Sequence, residues 1–369
     1  MPAFRIALAV LSLAFVGGCA SPLVTLSARP SDAVASAEDV ARGAELFPFR
    51  ASDGTWGFVT ADGEVAVPAQ FDGASEFHEG RATVGVGGRV GAIDPSGRIV
   101  VEPVYDEVLA FADGRARVRV GTGRDRRYGF VAPDGQEVVA PTLPEATVFR
   151  SGLSVVRLRE GRLTLVQKIL IQIGGGSPSD RTVAIDPNGR VVLELPHDEV
   201  KVFSEGLAAF RPEKGRRWGY LTREGEVAIE PQFEGPALAF TGGLARVGQG
   251  GEIGYVNPTG DFVIEPQFEA AGPFSEGLAA VRVDGQWGYI DSTGVMVVEP
   301  RFERAGAFSE SLAAVRLGGA WGYVDTEGGV VIEPAYRSAR PFRHGLAVVF
   351  RGGRPLLVDS AGDLVGPDR

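Results

Sequence analysis

Apolar and polar positions alternate in short blocks along most of this chain, and the blocks return in a fixed order. In one such unit, the Val- and Ala-rich run Leu278–Val283 is followed by Asp284-Gly285, a two-residue hairpin signal whose glycine tolerates positive φ. A second apolar run, Trp287–Asp291, leads into Asp291–Gly294, with the Asp first and the Gly fourth that a type I turn prefers. The pattern predicts two antiparallel strands followed by a tight turn.

The rest of the unit completes a β-meander. A third strand is predicted at Val295–Glu299, ended by Pro300, because proline cannot donate to a strand ladder. Phe302 to Phe308 predicts a short fourth strand or an irregular crossing. Several runs, such as Leu278–Val281, are apolar at successive positions, which indicates small sheets that are covered on both faces.

This unit recurs along the chain at steps of 34 to 38 residues, apart from one step of 54. The copies begin at Trp56, Val90, Tyr128, Thr182, Trp218, Ile253, Trp287, Trp321 and Pro355. A second word keeps the same rhythm between them, with clear copies at Phe203–Ala208, Phe274–Ala279 and Phe308–Ala313. One unit of this size cannot bury its apolar residues alone, so the sequence predicts an array of stacked units.

The words Trp-Gly-Tyr-Ile-Asp, Glu-Pro-x-Phe and Phe-Ser-Glu-Gly-Leu-Ala resemble those of the bacterial WG repeats, from about Leu46 to the end of the chain. The resemblance implies β-strand repeats without a catalytic signature of their own, so it supplies no active site. Some copies depart from the family's Trp-Gly word. The word is altered at Val90, Tyr128 and Ile253 and lost at Thr182 and Pro355.

We therefore predict an all-β repeat protein in which nine β-meander units of about 34 residues stack as a β-propeller-like or open superhelical array over residues 45–369. A twisted β-solenoid is the alternative, although a single-sheet solenoid would leave one face of its strands more polar. The short unit argues against a propeller, because four-stranded blades typically have about 40 residues or more.

The beginning of the chain predicts export. Residues 1–18 read as a secretory signal peptide, with Arg5, the apolar stretch Ile6–Val16 and small residues before the cut. Val16–Cys19 resembles a bacterial lipobox, which implies lipidation of Cys19, the only cysteine. Residues 19–44 are expected to form a flexible tether. The expected location is the outer membrane, as a lipoprotein that faces the periplasm and is held by the lipid on Cys19.

Composition argues against several function classes. The formal net charge of −10 disfavours nucleic acid as a partner, because binding would begin against repulsion from phosphates. The three histidines, His78, His197 and His344, do not repeat in register, and the chain carries no nucleophile-elbow, phosphate-loop or zinc-protease motif. The Asp-x-x-Gly turns offer too few carboxylates for calcium, so turn capping is expected there. We therefore expect no enzyme activity, metal or cofactor.

Two charged rows repeat with the unit. The glutamates are Glu102, Glu230, Glu265, Glu299 and Glu333, and the arginines are Arg50, Arg119, Arg157, Arg211, Arg282 and Arg316. We predict ion pairs between the two rows that join neighbouring repeats. The alternative is an acidic row that binds a cation or a basic partner.

The tryptophans and the long step complete the candidate residues. Trp56, Trp218, Trp287 and Trp321 share one strand position with aliphatic residues of other copies, which predicts core packing between sheets rather than sugar stacking. The 54-residue step contains an insertion at 163–180, whose Leu165, Ile169 and Ile171 are candidate partner-binding residues, with neutral drift as the alternative.

The function that fits these features is a lipid-anchored, non-catalytic scaffold that binds an unidentified envelope protein. A periplasmic ligand- or glycan-binding protein is the alternative.

Overall fold

The computed structural model describes residues 45–158, 181–197, 199–212, 215–352 and 354–365, and the structural statements below concern these residues. Their strands form nine antiparallel sheets, each a meander in chain order, which we call blades 1 to 9. Seven blades have four strands, named A to D in chain order. Blades 1 and 6 have three strands, which correspond to B, C and D, and in blade 6 an isolated bridge between Ala237 and Val247 stands in place of strand A.

The strand bounds follow the chain. Blade 1 contains β1 Leu46–Arg50, β2 Trp56–Thr60 and β3 Val65–Phe71; blade 2 contains β4 Gly73–Ala74, β5 Ala82–Val86, β6 Arg89–Ile93 and β7 Ile99–Tyr105; blade 3 contains β8 Glu107–Val108, β9 Ala116–Val120, β10 Arg127–Val131 and β11 Glu137–Leu143. Blade 4 contains β12 Glu145–Ala146, β13 Ser154–Leu158, β14 Arg181–Ile185 and β15 Val191–Leu195; blade 5 contains β16 Glu199–Val200, β17 Leu207–Arg211, β18 Trp218–Thr222 and β19 Val227–Phe233; blade 6 contains β20 Ala245–Gln249, β21 Glu252–Val256 and β22 Phe262–Phe268. Blade 7 contains β23 Ala270–Ala271, β24 Leu278–Val283, β25 Gln286–Asp291 and β26 Met296–Phe302; blade 8 contains β27 Arg304–Ser309, β28 Leu312–Leu317, β29 Ala320–Val324 and β30 Val330–Tyr336; blade 9 contains β31 Ser338–Ala339, β32 Leu346–Arg351, β33 Arg354–Asp359 and β34 Leu364–Val365. One short 3-10 turn lies at Gly123–Asp125.

The blades form a closed ring. Nine hydrophobic clusters fill the interfaces, one between each pair of neighbouring blades. The ninth joins the two ends of the array, because Phe47 and Val59 of blade 1 pack with Leu346, Val348 and Leu357 of blade 9. The predicted all-β array is therefore confirmed in its β-propeller form, and the solenoid alternative is wrong.

Antiparallel strands alternate in direction, so the loops of each blade lie on two opposite faces of the ring. The A–B and C–D loops lie on one, which we call the turn face. The hairpins between B and C, and the links between blades, lie on the other, which we call the tip face. On the turn face, predicted turn capping is seen: the Asp291 carboxylate accepts from the Thr293 amide at 2.9 Å and the Val295 amide at 3.0 Å. Its hydrogen bond from the Thr293 hydroxyl is the main cause that lowers the pKa of Asp291.

The repeated Trp-Gly and Glu-Pro words are two halves of one structural feature. Trp287 pairs with Phe302 and Tyr289 pairs with Val298, so Gly288 alone stands opposite three residues of strand D, including Pro300. A Cβ on Gly288 would lie 2.4 Å from the Val298 carbonyl oxygen, a separation that real Cβ atoms do not show. Glycine is needed here because two backbones approach closely at a bulge.

The copies that lost the Trp-Gly word support this explanation. In blade 4, Val183 stands where the others have glycine, and it pairs with Glu194 in a ladder that runs without a bulge from Thr182 to Ala184. The prediction that Pro300 ends its strand is wrong, since β26 continues to Phe302. Proline is tolerated because it sits within the bulge of the last strand in its sheet.

We expect Gly288→Ala to lower the free energy of unfolding by about 2 to 3 kcal/mol, because the added methyl group forces the bulged backbone apart. Urea denaturation followed by circular dichroism measures this. Gly73→Ala is the matched control, because no atom lies within 4 Å of its Cβ position, and it should change stability by less than about 0.5 kcal/mol. Equal effects of the two substitutions would contradict the close-approach explanation.

Candidate functional site

A phenylalanine from the A–B segment of one blade fills the turn-face end of the interface with the preceding blade. We call it the knob phenylalanine. In six blades its ring packs edge-on or tilted against an aromatic ring of strand C in the preceding blade, as for Tyr289 and Phe308, whose centroids are 4.7 Å apart. The knob residues are Phe77, Phe111, Phe149, Phe203, Phe240, Phe274, Phe308 and Phe342, and all but Phe77 are buried.

A carboxylate two residues after the knob joins successive blades. Glu276 accepts hydrogen bonds from the Glu310 and Ser311 amides of the next blade, both at 2.8 Å. Glu310 in turn accepts from the amides of His344 and Gly345. The backbone at Glu276 has a positive φ, as it has at the equivalent residues of the other A–B turns, so these turns share a left-handed geometry. These bonds link the turn face from blade to blade.

The interface between blades 9 and 1, which we call the seam, departs from this scheme. Blade 1 begins at strand B, so among the described residues it has neither a strand A nor a knob phenylalanine. Leu357 occupies the strand C position that Tyr289 and Tyr323 occupy in blades 7 and 8. The fully buried part of the seam is therefore packed with aliphatic side chains and Phe47, while Phe49 and Phe350 pack against it from partly buried positions.

A cavity of about 280 Å³ lies at the turn-face side of the seam. Its walls are apolar and its rim is charged, which is the composition expected of a binding pocket. The lining residues are Glu45, Leu46, Phe47, Glu76, Phe77, Gly80, Pro95, Pro341, Arg343, His344, Leu346 and Val348. Phe77 remains half-buried, unlike the other knobs, because it borders this cavity.

Ion pairs beside the cavity connect blade 2 with blade 9. Glu76 of blade 2 pairs with Arg340 at 3.2 Å and with Arg343 at 3.6 Å, both in blade 9, so these contacts pass over the missing strand of blade 1. His344 also pairs with Glu45. Burial lowers the pKa of nearby His78, and the positive charge of Arg343 adds to that shift, so its imidazole is neutral at pH 7.

The arginine row lies on the tip face, and the prediction for its partners is wrong. Five of its members pair with glutamates that begin strand A of the same blade or directly precede it, at distances of 3.1 to 3.5 Å. Those glutamates are Glu107, Glu145, Glu199, Glu269 and Glu303. The sixth, Arg50, donates to the Gly54 carbonyl. The predicted partners, Glu102 and its counterparts, are exposed on strand D and form no ion pair in the described parts of the chain. The ion pairs therefore form within blades rather than between them, because the short strand A lies directly beside strand B.

Exposed arginines stand on the tips of blades 3 and 5. Arg124 and Arg126 belong to the blade 3 tip and Arg216 to the blade 5 tip, and none of the described carboxylates pairs with them. The chain leaves blade 4 at Leu158 and returns at Arg181, between these two tips. Sequence reasoning missed these three arginines, although the run from Arg124 to Arg127 is a visible signal of positive charge.

The four tryptophans lie in four separate blades. Trp218 is 7% exposed, within the core between blades 5 and 6, and Lys201 and Arg211 cover its ring at 4.7 and 5.4 Å from the centroid. The other three are half-buried, and each packs against a core cluster: Trp56, Trp287 and Trp321. They do not meet at one mouth.

Several predicted residues have no counterpart in the description above. Cys19, Leu165, Ile169 and Ile171 lie outside the described residues. Within the described ranges, no group of three or more His, Cys, Asp and Glu residues could hold a metal ion. No helix in these ranges is long and apolar enough to cross a membrane.

Comparison with known proteins identifies the repeat. The profile described as "WG containing repeat" matches residues 56–89, 91–121, 128–160, 184–213, 218–252, 253–287, 287–319 and 321–354. No curated protein matches this sequence.

Two comparisons with solved structures differ in how well the chains superpose. A crystal structure of the eukaryotic initiation factor superposes with a TM-score of 0.61 at 14% identity, over 87% of this chain and 94% of that chain, which shows a common fold alone. A virginiamycin B lyase from Staphylococcus aureus has a TM-score of 0.37 at 12% identity, over 69% of this chain and 91% of that one. That score is too low to support any argument about this protein.

We expect Phe308→Ala to cost about 3 to 5 kcal/mol of unfolding free energy, the range for a buried aromatic residue. Phe77→Ala should cost at least about 1 kcal/mol less, because one side of Phe77 already borders the seam cavity. Urea unfolding of both variants provides the comparison. Equal losses would mean that Phe77 is as tightly enclosed as the other knobs.

Proposed function

This chain belongs to the WG containing repeat family, and from that premise we propose that it is a non-catalytic scaffold that binds an acidic partner protein through the tip face of blades 3 to 5. The observation that carries the proposal is the set of unpaired arginines, Arg124, Arg126 and Arg216, on a chain whose net charge is −10. An arginine without a carboxylate partner is available for pairing with one from another molecule.

The position of these arginines adds support. They flank the connection from Leu158 to Arg181, which contains the one insertion that breaks the repeat. Insertions on one face of a repeat array often form its binding surface. Positive charge on both sides of such a segment would steer an acidic partner towards it and set the association rate. Leu165, Ile169 and Ile171 of the insertion are the candidate residues for apolar contacts with the partner.

The cellular setting is part of the same proposal. The lipobox-like residues Val16–Cys19 support lipidation of Cys19 after export, and a protein held on several acyl chains stays at its membrane. An anchored scaffold facing the periplasm, at the outer membrane, would bring its partner to the envelope.

The triple variant Arg124→Glu, Arg126→Glu, Arg216→Glu tests the tip face. Partner proteins are crosslinked in intact cells, purified with the scaffold and quantified by mass spectrometry. We expect recovery of the main partner to fall by about fivefold or more, because repulsion replaces attraction at the rim. The matched control is Arg150→Glu, Arg190→Glu, Arg223→Glu, which makes the same charge change on the turn face of blades 4 and 5, and it should leave recovery unchanged.

Two results would count against the proposal. Equal losses in the two triple variants would indicate an effect of net charge rather than of the tip face. Unchanged protein recovery together with weaker binding to phosphatidylglycerol vesicles would assign the arginines to lipid headgroups instead.

For the anchor, we expect Cys19→Ser to yield a soluble or unprocessed protein, because serine lacks the thiol that is acylated. Fractionation of membranes on a sucrose gradient measures this. If the serine variant stays in the outer-membrane fraction as fully as the parent, lipid on Cys19 is not the anchor.

A further inference from the structure

We propose that the seam cavity binds an extended segment of a partner protein in which an aromatic residue stands two positions before an acidic residue. The segment would supply the knob and the strand A that blade 1 lacks. This inference goes beyond the tip-face scaffold and concerns the opposite face of the ring, so each can stand or fall without the other.

The filled interfaces show what the missing segment must contain. In blade 7, Ala271 of strand A faces the core, Phe274 is the knob, and Glu276 binds the amides of the next turn. In blade 8, Ala305, Phe308 and Glu310 stand at the same spacing. The required pattern is a small apolar residue, an aromatic residue three positions later and a carboxylate two positions after that.

The apolar partners for such a segment are already in place at the seam. Phe47, Leu346 and Val348 line the cavity where the knob would lie, and Phe77 borders it from blade 2. A volume of about 280 Å³ is enough for one aromatic side chain with its adjoining backbone. An aromatic side chain in this cavity would cover apolar surface of the seam, as the knob phenylalanines do at the other eight interfaces.

The polar partners are also present. A carboxylate at the Glu276 position would meet the amides of Glu79 and Gly80 in the blade 2 turn. Both residues are exposed, and neither amide has a hydrogen-bond acceptor among the described residues. Charge-assisted bonds from a carboxylate to two amides are stronger than neutral ones and would fix the direction of the segment.

The open edge of β1 offers backbone pairing beside the cavity. In blade 7, strand B receives the Glu269 amide at the Arg282 carbonyl, at 3.1 Å, and the Gly272 amide at the Ala280 carbonyl, at 2.7 Å. The same register in blade 1 places the Arg50 and Pro48 carbonyls on the free edge as acceptors, while Pro48 has no N–H to donate. β1 pairs only with β2 among the described strands, so a partner segment can add to it by β-augmentation.

The chain's own residues before β1 lack the required chemistry. Counting back from Leu46 with the spacing of blades 7 and 8, the core position of strand A falls on Asp39, the knob on Arg42 and the carboxylate on Ala44. Two charged side chains would enter apolar positions, and the acceptor would be missing. The pattern must therefore come from another molecule.

A synthetic peptide with the sequence of residues 303–311, which contains Ala305, Phe308 and Glu310, serves as the probe. Its binding to the full chain is measured by fluorescence anisotropy. We expect the peptide with Phe308→Ala to bind at least about tenfold more weakly, since the knob supplies the central anchor. The peptide with Glu310→Gln should bind about threefold more weakly, through loss of charge-assisted bonds. The tip-face triple variant should bind the parent peptide as the unmodified protein does.

Photocrosslinking locates the site without a substitution in the protein. A peptide with benzoylphenylalanine at the knob position should label Phe47, Phe77, Leu346 or Val348. Binding that does not depend on the aromatic residue, or labelling confined to other interfaces, overturns the proposal. Replacement of residues 38–44 by a Gly-Ser linker completes the test: if peptide binding appears only then, the chain's own segment is the natural occupant and the proposal is wrong.

Discussion

Seven of the nine blades depend on the same close approach between two backbones. In most blades the glycine after the tryptophan position leaves room for a bulge in strand D, where carbonyl and proline nitrogen come nearer than any Cβ would permit. The bulge lets the last strand bend while Val298 and Phe302 both stay in the core with Tyr289. Blade 4 shows the alternative, because Val183 is accommodated only by a straight ladder. The glycine and the bulge opposite it are lost together in blade 4, whereas blade 1 keeps Gly57 and its close approach with Pro68-Ala69 at the Glu-Pro position.

Much of the fold could be predicted because its signals are local. In the unit analysed, hairpin glycines, Asp-x-x-Gly turns and apolar runs located strands B and C and the start of strand D to within one residue. Pro300 was misjudged because strand termination and a bulge have the same sequence signal. The argument from unit length also failed, since strand A is mostly two residues long and its turns are tight, so a short unit still makes a four-stranded blade.

The site was less predictable because it depends on which units become neighbours. Arg282 could have paired with either of two repeated glutamates, and only the register shows that Glu269 lies beside it. The seam cavity arises from contacts among residues at both ends of the chain, such as Glu76 and Arg340. One signal was available in the sequence: eight copies of the knob phenylalanine serve nine interfaces.

Strand D is the last strand of each sheet, so its repeated glutamates lie on a free edge. Exposed valines such as Val297 and Val331 lie on the same strand as Glu299 and Glu333. An apolar free edge of this kind is a template for joining one molecule to another in growing fibres. If two molecules paired at these edges, the charge of each glutamate would be buried. The proline beside each glutamate also lacks the backbone N–H that such pairing needs. The word Glu-Pro, read as a repeat signature, thereby also disfavours pairing between the outer edges of two rings.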